Sequence, residues 1–543
     1  VNPEARRLVD RLWSYCNVLR DDGVSSKNYL EQLSFLVFLK MAHELELSNN
    51  SISDSTQHRY ILPEEIRAKG RGWGELLDLT GSALERAYTS LLHDLGGDGE
   101  HDDNVRPHTD GDGEDEAEDD GDTPRTTLTL IFKRARNHIQ NPANLRRLIH
   151  DLINKEDWST ARSDIQGDAY EALIARSVED TKAGAGQYFT PRPLIESIVR
   201  VMRPTQHDTI TDPACGTGGF LLAAYAQILR DHSADMYPED YEHLASGRIW
   251  GTELVPETAR LAAMNLLLHN IGAPDGIPLI KQEDALKREP QDLATLVLAN
   301  PPFGTKSSQM ISNEDETGNG KGKQNSNGHA YSRRDFWTKT PNKQLNFLQH
   351  IASLLDRDGR AAVIVPDNVL YESGNAATTI RRELLLRYDL HTMLRLPRGI
   401  FHAGGVSATV LFFDWAERRH SEDEPPRTQQ IWTYDLRTGK RFTLKQNPLR
   451  AEHLADFEKA YRADDRSQRT VSERFQVHDG AALVKTEDVK LDLGLLTPEA
   501  DEEESLPPGE LVAAVVDDLR SALAEVAALA EELGVELTES ADA

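Results

Sequence analysis

The chain has 543 residues, 38% of them hydrophobic and 28% charged, enough for roughly two to four domains, and no run of 18 apolar residues crosses a membrane. A formal charge of −29 repels phosphate backbones, which excludes strong DNA binding by this chain unaided. The only cysteines, Cys16 and Cys215, stand far apart, which excludes a disulfide framework or a cysteine-based zinc site and makes a reducing cytosol the natural compartment.

The opening VNPEARRLVDRLW lacks a continuous apolar core and does not read as a signal peptide. Residues 1–155 read as a helical N-terminal domain: Leu30, Leu33, Val37, Met41 and Leu45 recur at helical spacing, and Gly70-Arg-Gly-Trp-Gly74 marks a break. An insert at 96–122 carries thirteen acidic residues against Arg106 and reads as a solvated, disordered segment. A calcium loop starting at Asp110 fails because its obligatory sixth-position glycine is Asp115. Helical patterning resumes at Arg125, as in Asn144-Leu-Arg-Arg-Leu-Ile-His-Asp-Leu-Ile153.

Residues 156–470 form the next segment, and past 181 short apolar strands alternate with amphipathic helices. Strands are expected near 209–211, 248–252, 278–281, 294–299, 360–365, 391–396 and 408–414, with helices at 192–202, 218–230, 257–270 and 343–356. The alternation predicts an α/β fold with a doubly wound, mostly parallel sheet. A polar loop at 305–334 holds Lys306, Lys321, Lys323, Arg333 and Arg334 against three acids; it is a surface loop or a segment that orders over a polyanion. In the final segment, 471–543, Val512, Val516, Leu519, Leu523, Val526, Ala530 and Leu533 form a heptad seam ending at Gly534. That helix either folds back on its own domain or pairs with a partner.

Three acid-and-glycine elements follow one another in the alternating region. In Asp212-Pro-Ala-Cys-Gly-Thr-Gly-Gly219 a strand runs into a glycine turn and then a helix. Gly216, Thr217, Gly218 and Gly219 let a backbone approach a ligand and offer free N–H groups. The dinucleotide fingerprint is absent, since its third glycine would fall at Leu221. Glu253 ends the next strand, where a carboxylate can accept from two ribose hydroxyls, and Asp284 follows the third, where an acid can read an adenine amino group. Singly these are a tight turn and two solvated strand ends; in this order they describe a nucleoside site. Upstream, Gln187-Tyr188-Phe189-Thr190-Pro191-Arg192 places two aromatics before Thr190, an expected N-cap, and Pro191, the expected first helical residue.

The apolar run 293–299 ends in Asn300-Pro301-Pro302-Phe303-Gly304. Two prolines donate no backbone hydrogen bonds, so the strand must stop there, leaving an amide, two carbonyls and a ring at its carboxyl end.

The ordered set resembles the amino-methylating DNA methyltransferases that use S-adenosylmethionine. More narrowly, GAGQYFTPRPLI, DPACGTGGFL, ELVPETARLAAMNLLLHNI, NPPFG, NKQLNFLQHI, GRAAVIVPDNVL and LRLPRGIF resemble the modification subunit of type I restriction-modification systems over most of the chain. The resemblance implies a methyltransferase core with a helical N-terminal domain and a C-terminal helix. It further implies S-adenosylmethionine as cofactor, held by Gln187–Arg192, Thr217–Gly219 and Glu253, with Asp212, Gly216 and Asp284 beside them. Asn300, Pro301, Pro302 and Phe303 become the catalytic tetrapeptide for N6 methylation of a flipped adenine in double-stranded DNA. Cytosine C5 chemistry is excluded, because neither Cys16 after Tyr15 nor Cys215 after Ala214 follows proline. No metal is called for. The implied partners are a specificity subunit that reads the target, a second copy of this chain, and a motor-nuclease restriction subunit; the heptad helix is the candidate docking element. A stand-alone adenine methyltransferase and a catalytically silent cofactor-binding scaffold are the alternatives. The acidic insert and the extended loop after Gly304 depart from the family pattern without interrupting a motif.

Overall fold

The computed structural model describes residues 10–11, 26–51, 61–97, 126–155, 190–303, 333–401, 407–416, 424–437, 442 and 447–493. The acidic insert beyond residue 97, residues 187–189, the polar loop up to residue 332 and the heptad helix lie outside the described residues. The chain divides into two compact units, residues 1–182 with 204–285 and residues 183–203 with 286–543. Among the described residues no helix is long and apolar enough to cross a membrane.

In the first unit, helix Ser26–Ser51 carries the expected Leu33, Val37 and Met41, but every residue from Gln32 to Ala42 is buried. It is thus covered on all sides. Phe35 stacks on Phe132 at 5.2 Å, and Phe38 meets the same ring edge-on at 5.8 Å. Helix Thr127–Phe132 starts from a capping box in which Thr126 and Thr129 satisfy each other's backbone N–H groups. The glycine break holds: Gly70 and Gly72 sit at φ +68° and +136° just before helix Trp73–Asp78.

Three short strands complete this unit. They are β1 (Ile210–Asp212), β2 (Ile249–Glu253) and β3 (Ile280–Gln282), paired in parallel in the order β3-β2-β1. Helix Pro256–Leu268, after β2, ties them to the helical region. Its Arg260 pairs with Glu31, donates to the Lys133 carbonyl at 2.8 Å and lies over the Phe35 ring at 5.4 Å.

The second unit contains β4 (Ala294–Ala299), β5 (Leu355–Pro366), β6 (Tyr388–Arg395), β7 (Ala408–Trp415), β8 (Gln430–Asp435) and β9 (Phe475–Asp479), in the order β4-β5-β7-β6-β8-β9. All but one residue of β4 is buried, as its unbroken apolar run requires of a strand covered on both faces. The pairs β4–β5 and β6–β8 are parallel, whereas β7 runs antiparallel to both β5 and β6, and β9 antiparallel to β8. The α/β architecture is as expected, but the sheet is mixed, and β8 and β9 were not foreseen. An aromatic cluster secures them: Trp432 lies 4.8 Å from Phe475, and Tyr434 meets Phe457 of helix Ala451–Tyr461 edge-on at 5.3 Å. That helix also holds helix Arg192–Met202, where Arg200 grips both Glu458 oxygens at 3.0 and 2.7 Å.

Candidate active site

In the first unit β1 delivers Asp212, 2% exposed, whose Oδ1 accepts the Ala214 N–H at 2.9 Å. Burial pushes its carboxyl up to about 8; the Ala214 N–H opposes the shift and the nearby Glu253 charge adds to it. The turn then needs its glycines for different reasons. Gly216 (φ +55°) has open space where a side chain would project, while Gly218 (φ +86°) would place a Cβ 2.9 Å from Leu266 Cδ1. Gly216 is the face left clear for a ligand; Gly218 is the face pressed on helix Pro256–Leu268.

Glu253, at the end of β2, clasps this turn. Its Oε2 accepts the Gly216 N–H at 3.0 Å and its Oε1 accepts the Val255 N–H at 2.8 Å. Asn265, fully buried, donates to the Thr217 carbonyl at 3.0 Å and so fixes the turn from behind. Sequence reasoning gave Asn265 no role; an amide in an otherwise apolar helix (RLAAMNLLL) was the available signal. Asp284 lies half-buried two residues beyond β3, whose Gln282 is registered opposite Glu253. The structure thus brings Asp212, Gly216 and Glu253 together and sets Asp284 at the next strand's end. Burial pushes the Cys215 thiol well up, with Asp212 and Glu253 adding to it, which keeps it in the thiol form.

In the second unit β4 delivers the tetrapeptide. Asn300 is 7% exposed, Pro301 is buried, and Pro302 and Phe303 are half-buried. The Asn300 Nδ2 donates to Thr190 Oγ1 at 2.8 Å, while its Oδ1 is buried with no hydrogen-bond partner. An acceptor left so costs about 1–3 kcal/mol and is rare enough in folded proteins to require an explanation. Phe303 meets Phe401 edge-on at 5.5 Å, and its carbonyl accepts from Gln344 Nε2. Asn368 in turn donates to Gln344 Oε1 at 3.0 Å. These two amides anchor the exit of the tetrapeptide. They fall inside NKQLNF and VPDNVL, but only the folded chain brings them to Phe303.

Thr190 corrects an expectation. It is not the N-cap: that position is Pro191, no side chain caps the helix, and Arg192 is its first residue. From Thr190 the third helical position would be Pro193, which has no N–H to donate, so only the Arg192 N–H is left of the two donors a cap can use. Instead the Pro191 carbonyl accepts from Leu194 and Ile195 at 2.9 and 3.1 Å, and the Thr190 hydroxyl turns to Asn300. Arg192 is exposed and pairs with Glu196 at 3.1 Å. Gln187, Tyr188 and Phe189 lie outside the described residues.

Comparison with known proteins bears on this geometry. The N-6 DNA methylase family model matches residues 161–504. The methylase subunit of the type I restriction enzyme EcoKI from Escherichia coli K12 is 34% identical, covering 97% of this chain and 95% of its own. The StySJI methylase subunit from Salmonella typhimurium is 35% identical over 84% of this chain and 76% of its own. Among solved structures, a type I modification subunit from Vibrio vulnificus YJ016 shares the fold with a TM-score of 0.63, at 24% identity, covering 90% of this chain and 96% of that one. A type I methyltransferase subunit from Streptococcus thermophilus shares it with a TM-score of 0.61, at 19% identity, covering 90% and 98%. The expectation drawn from the motifs is thereby met: with an unbroken Asn-Pro-Pro-Phe at a strand end and a near full-length match, the chain belongs to the N-6 DNA methylase family as an adenine-specific DNA methyltransferase, the methylase subunit of a type I restriction enzyme.

Proposed function

We propose that the reaction runs on the Asn300–Phe303 strand end, with S-adenosylmethionine as donor and an adenine flipped out of duplex DNA as acceptor. The adenine amine is a poor nucleophile because its lone pair is delocalised into the ring. Asn300 Oδ1 and the Pro301 carbonyl accept its two N–H hydrogens, which draws the nitrogen toward tetrahedral geometry and localises the lone pair. Phe303 stacks on the base. Two consecutive prolines keep the acceptors rigid, so no reorganisation is needed as charge develops. The observation that carries this reading is the buried Asn300 Oδ1 without a partner. The bound cofactor supplies a methyl group activated on sulfonium.

The residues assigned to hold that cofactor are Gln187 to Phe189, Pro191, Arg192, Asp212, Gly216 to Gly219, Glu253 and Asp284. Open space at Gly216, a carboxylate already fixed beside it and a half-buried acid one strand further along fit a nucleoside with two ribose hydroxyls. Residues 1–155 serve as the helical N-terminal domain, 156–470 as the catalytic domain, and 471–543 as the tail that docks a partner through its heptad helix. A charge of −29 favours a division of labour in the cytosol, where a separate specificity subunit reads DNA, a second copy of this chain completes the methyltransferase, and a restriction subunit joins the larger assembly.

Tritium transfer from labelled cofactor to DNA tests the assignment on the chain co-expressed with its specificity subunit. Label should appear in N6-methyladenine, and Asn300→Ala should abolish transfer while cofactor affinity stays nearly intact. Transfer by the Asn300 variant refutes the catalytic assignment, and absence of transfer by the intact assembly favours a silent scaffold. Tight sequence-specific retardation of DNA by the chain alone would favour a stand-alone enzyme.

A further inference from the structure

From the contact between Thr190 and Asn300 we infer that Thr190 is a positioning residue, which holds the Asn300 amide in place with its oxygen as the unshared end. The inference rests on the reading of Asn300 as the catalytic amide and gives Thr190 a task different from cofactor contact.

A neutral carboxamide has two ends of nearly equal shape and opposite hydrogen-bonding sense, and rotation about its last torsion is soft. With the oxygen toward the base, it accepts an adenine N–H; with the nitrogen there, donor meets donor and the amine is repelled. A hydroxyl can bond either end, so Thr190 does not choose between them by itself. It pins the amide in the arrangement found here, accepting Nδ2 at 2.8 Å and leaving Oδ1 as the unshared end, the arrangement in which Asn300 can accept an adenine N–H. Both side chains are nearly buried, at 7% exposure each, so solvent cannot substitute for this contact.

The local sequence prepares the hydroxyl for the task. Thr190 precedes Pro191, which restricts its backbone to extended conformations, and β-branching limits its first torsion. Pro193 removes one of the two N–H groups that a capping threonine can use, and no side chain caps the helix, so the hydroxyl is not engaged there. The helix behind it is held by the Arg200–Glu458 pair. An element 110 residues upstream is thus tied to the catalytic strand end.

The test uses the chain co-expressed with its specificity subunit, tritiated S-adenosylmethionine and unmethylated chromosomal DNA. Thr190→Val removes the hydroxyl and keeps the volume; Thr190→Ser keeps the hydroxyl. Loss of one buried hydrogen bond corresponds to about a tenfold fall in kcat for the valine variant. Cofactor affinity and the KM for DNA should stay within about twofold, which also reports an intact fold, and serine should restore most of kcat. An unchanged kcat in the valine variant overturns the inference. So does a loss confined to cofactor affinity, which would make Thr190 a cofactor contact, and so does a serine variant as poor as valine. Asn300→Ala, run alongside, separates the two readings: its residual methylation would sink the catalytic assignment itself, whatever Thr190 does.

Discussion

Gly218→Ala should injure the glycine turn after β1 far more than Gly216→Ala, although the two glycines stand two residues apart in one motif. Both occupy left-handed backbone, at φ +86° and +55°, so alanine costs roughly 1–2 kcal/mol of conformational strain at either position. Only at 218 does the new methyl find an obstacle: it would sit 2.9 Å from Leu266 Cδ1, a side chain 2% exposed inside a packed helix. Overpacking of that kind adds about 1–3 kcal/mol, so the total is on the order of 2–5 kcal/mol at 218 against 1–2 at 216. The displaced helix also carries Asn265, whose amide holds the Thr217 carbonyl at 3.0 Å, so the ligand-facing side of the turn should move with it. Urea denaturation of both variants, followed by cofactor titration of each, measures the contrast. Midpoints that fall equally, or further for Gly216→Ala, would refute the packing argument, since strain alone cannot distinguish the two sites.

Two further expectations follow from buried charge. Asp212 has a carboxyl pushed up to about 8 in the fold against 3.8 unfolded, so the folded chain holds a proton that the unfolded chain has released. Its contribution to stability is present below about pH 4 and is lost as pH rises toward 8. Asp212→Asn keeps the Oδ1 acceptor for Ala214, so melting curves should show it gaining on the parent chain more at pH 8 than at pH 5; an equal difference at both would refute the shift. Arg381, 1% exposed, donates to the carbonyls of Val489, Val369, Glu372 and Asp488 at 2.7 to 3.0 Å. Arg381→Met removes all four of these bonds, leaving the Asp488 carbonyl only the Thr378 hydroxyl at 3.4 Å, and a loss of about 3 kcal/mol or more should release the segment around residues 486–491 to limited proteolysis. Unchanged cleavage there would show that the segment is held by other contacts.

Much of the site was legible because its determinants are local. A double proline must end a strand, a Gly-x-Gly between strand and helix must turn tightly, and acids at the ends of β2 and β3 follow from the period of the alternation. These are statements about backbone chemistry over a few residues, and the folded positions of Asp212, Gly216, Glu253 and Asn300 agree with them. The same locality explains the error at Thr190. The capping pattern was present, but Pro193, three residues further on, removed one of the two donors it could use, and burial brought the hydroxyl to Asn300 instead. The strand in Gln430–Asp435 is hard to read although Pro425-Pro426 and Gly439 flank it, because its run Ile431-Trp-Thr-Tyr434 is only four residues long and does not alternate.

Sequence by itself determined the family, the place where the Asn-Pro-Pro-Phe strand must end, and the helical and α/β character of successive segments. These depend on residue type, spacing and hydrogen-bonding capacity along the chain. Only tertiary structure decided that β7 enters antiparallel between β5 and β6, that Asn265 braces the glycine turn, that Gln344 secures Phe303, and that Thr190 meets Asn300. Strand direction and long-range side-chain pairing are set by how whole elements pack, because a polar group takes whatever partner burial brings to it, and no local pattern names that partner in advance.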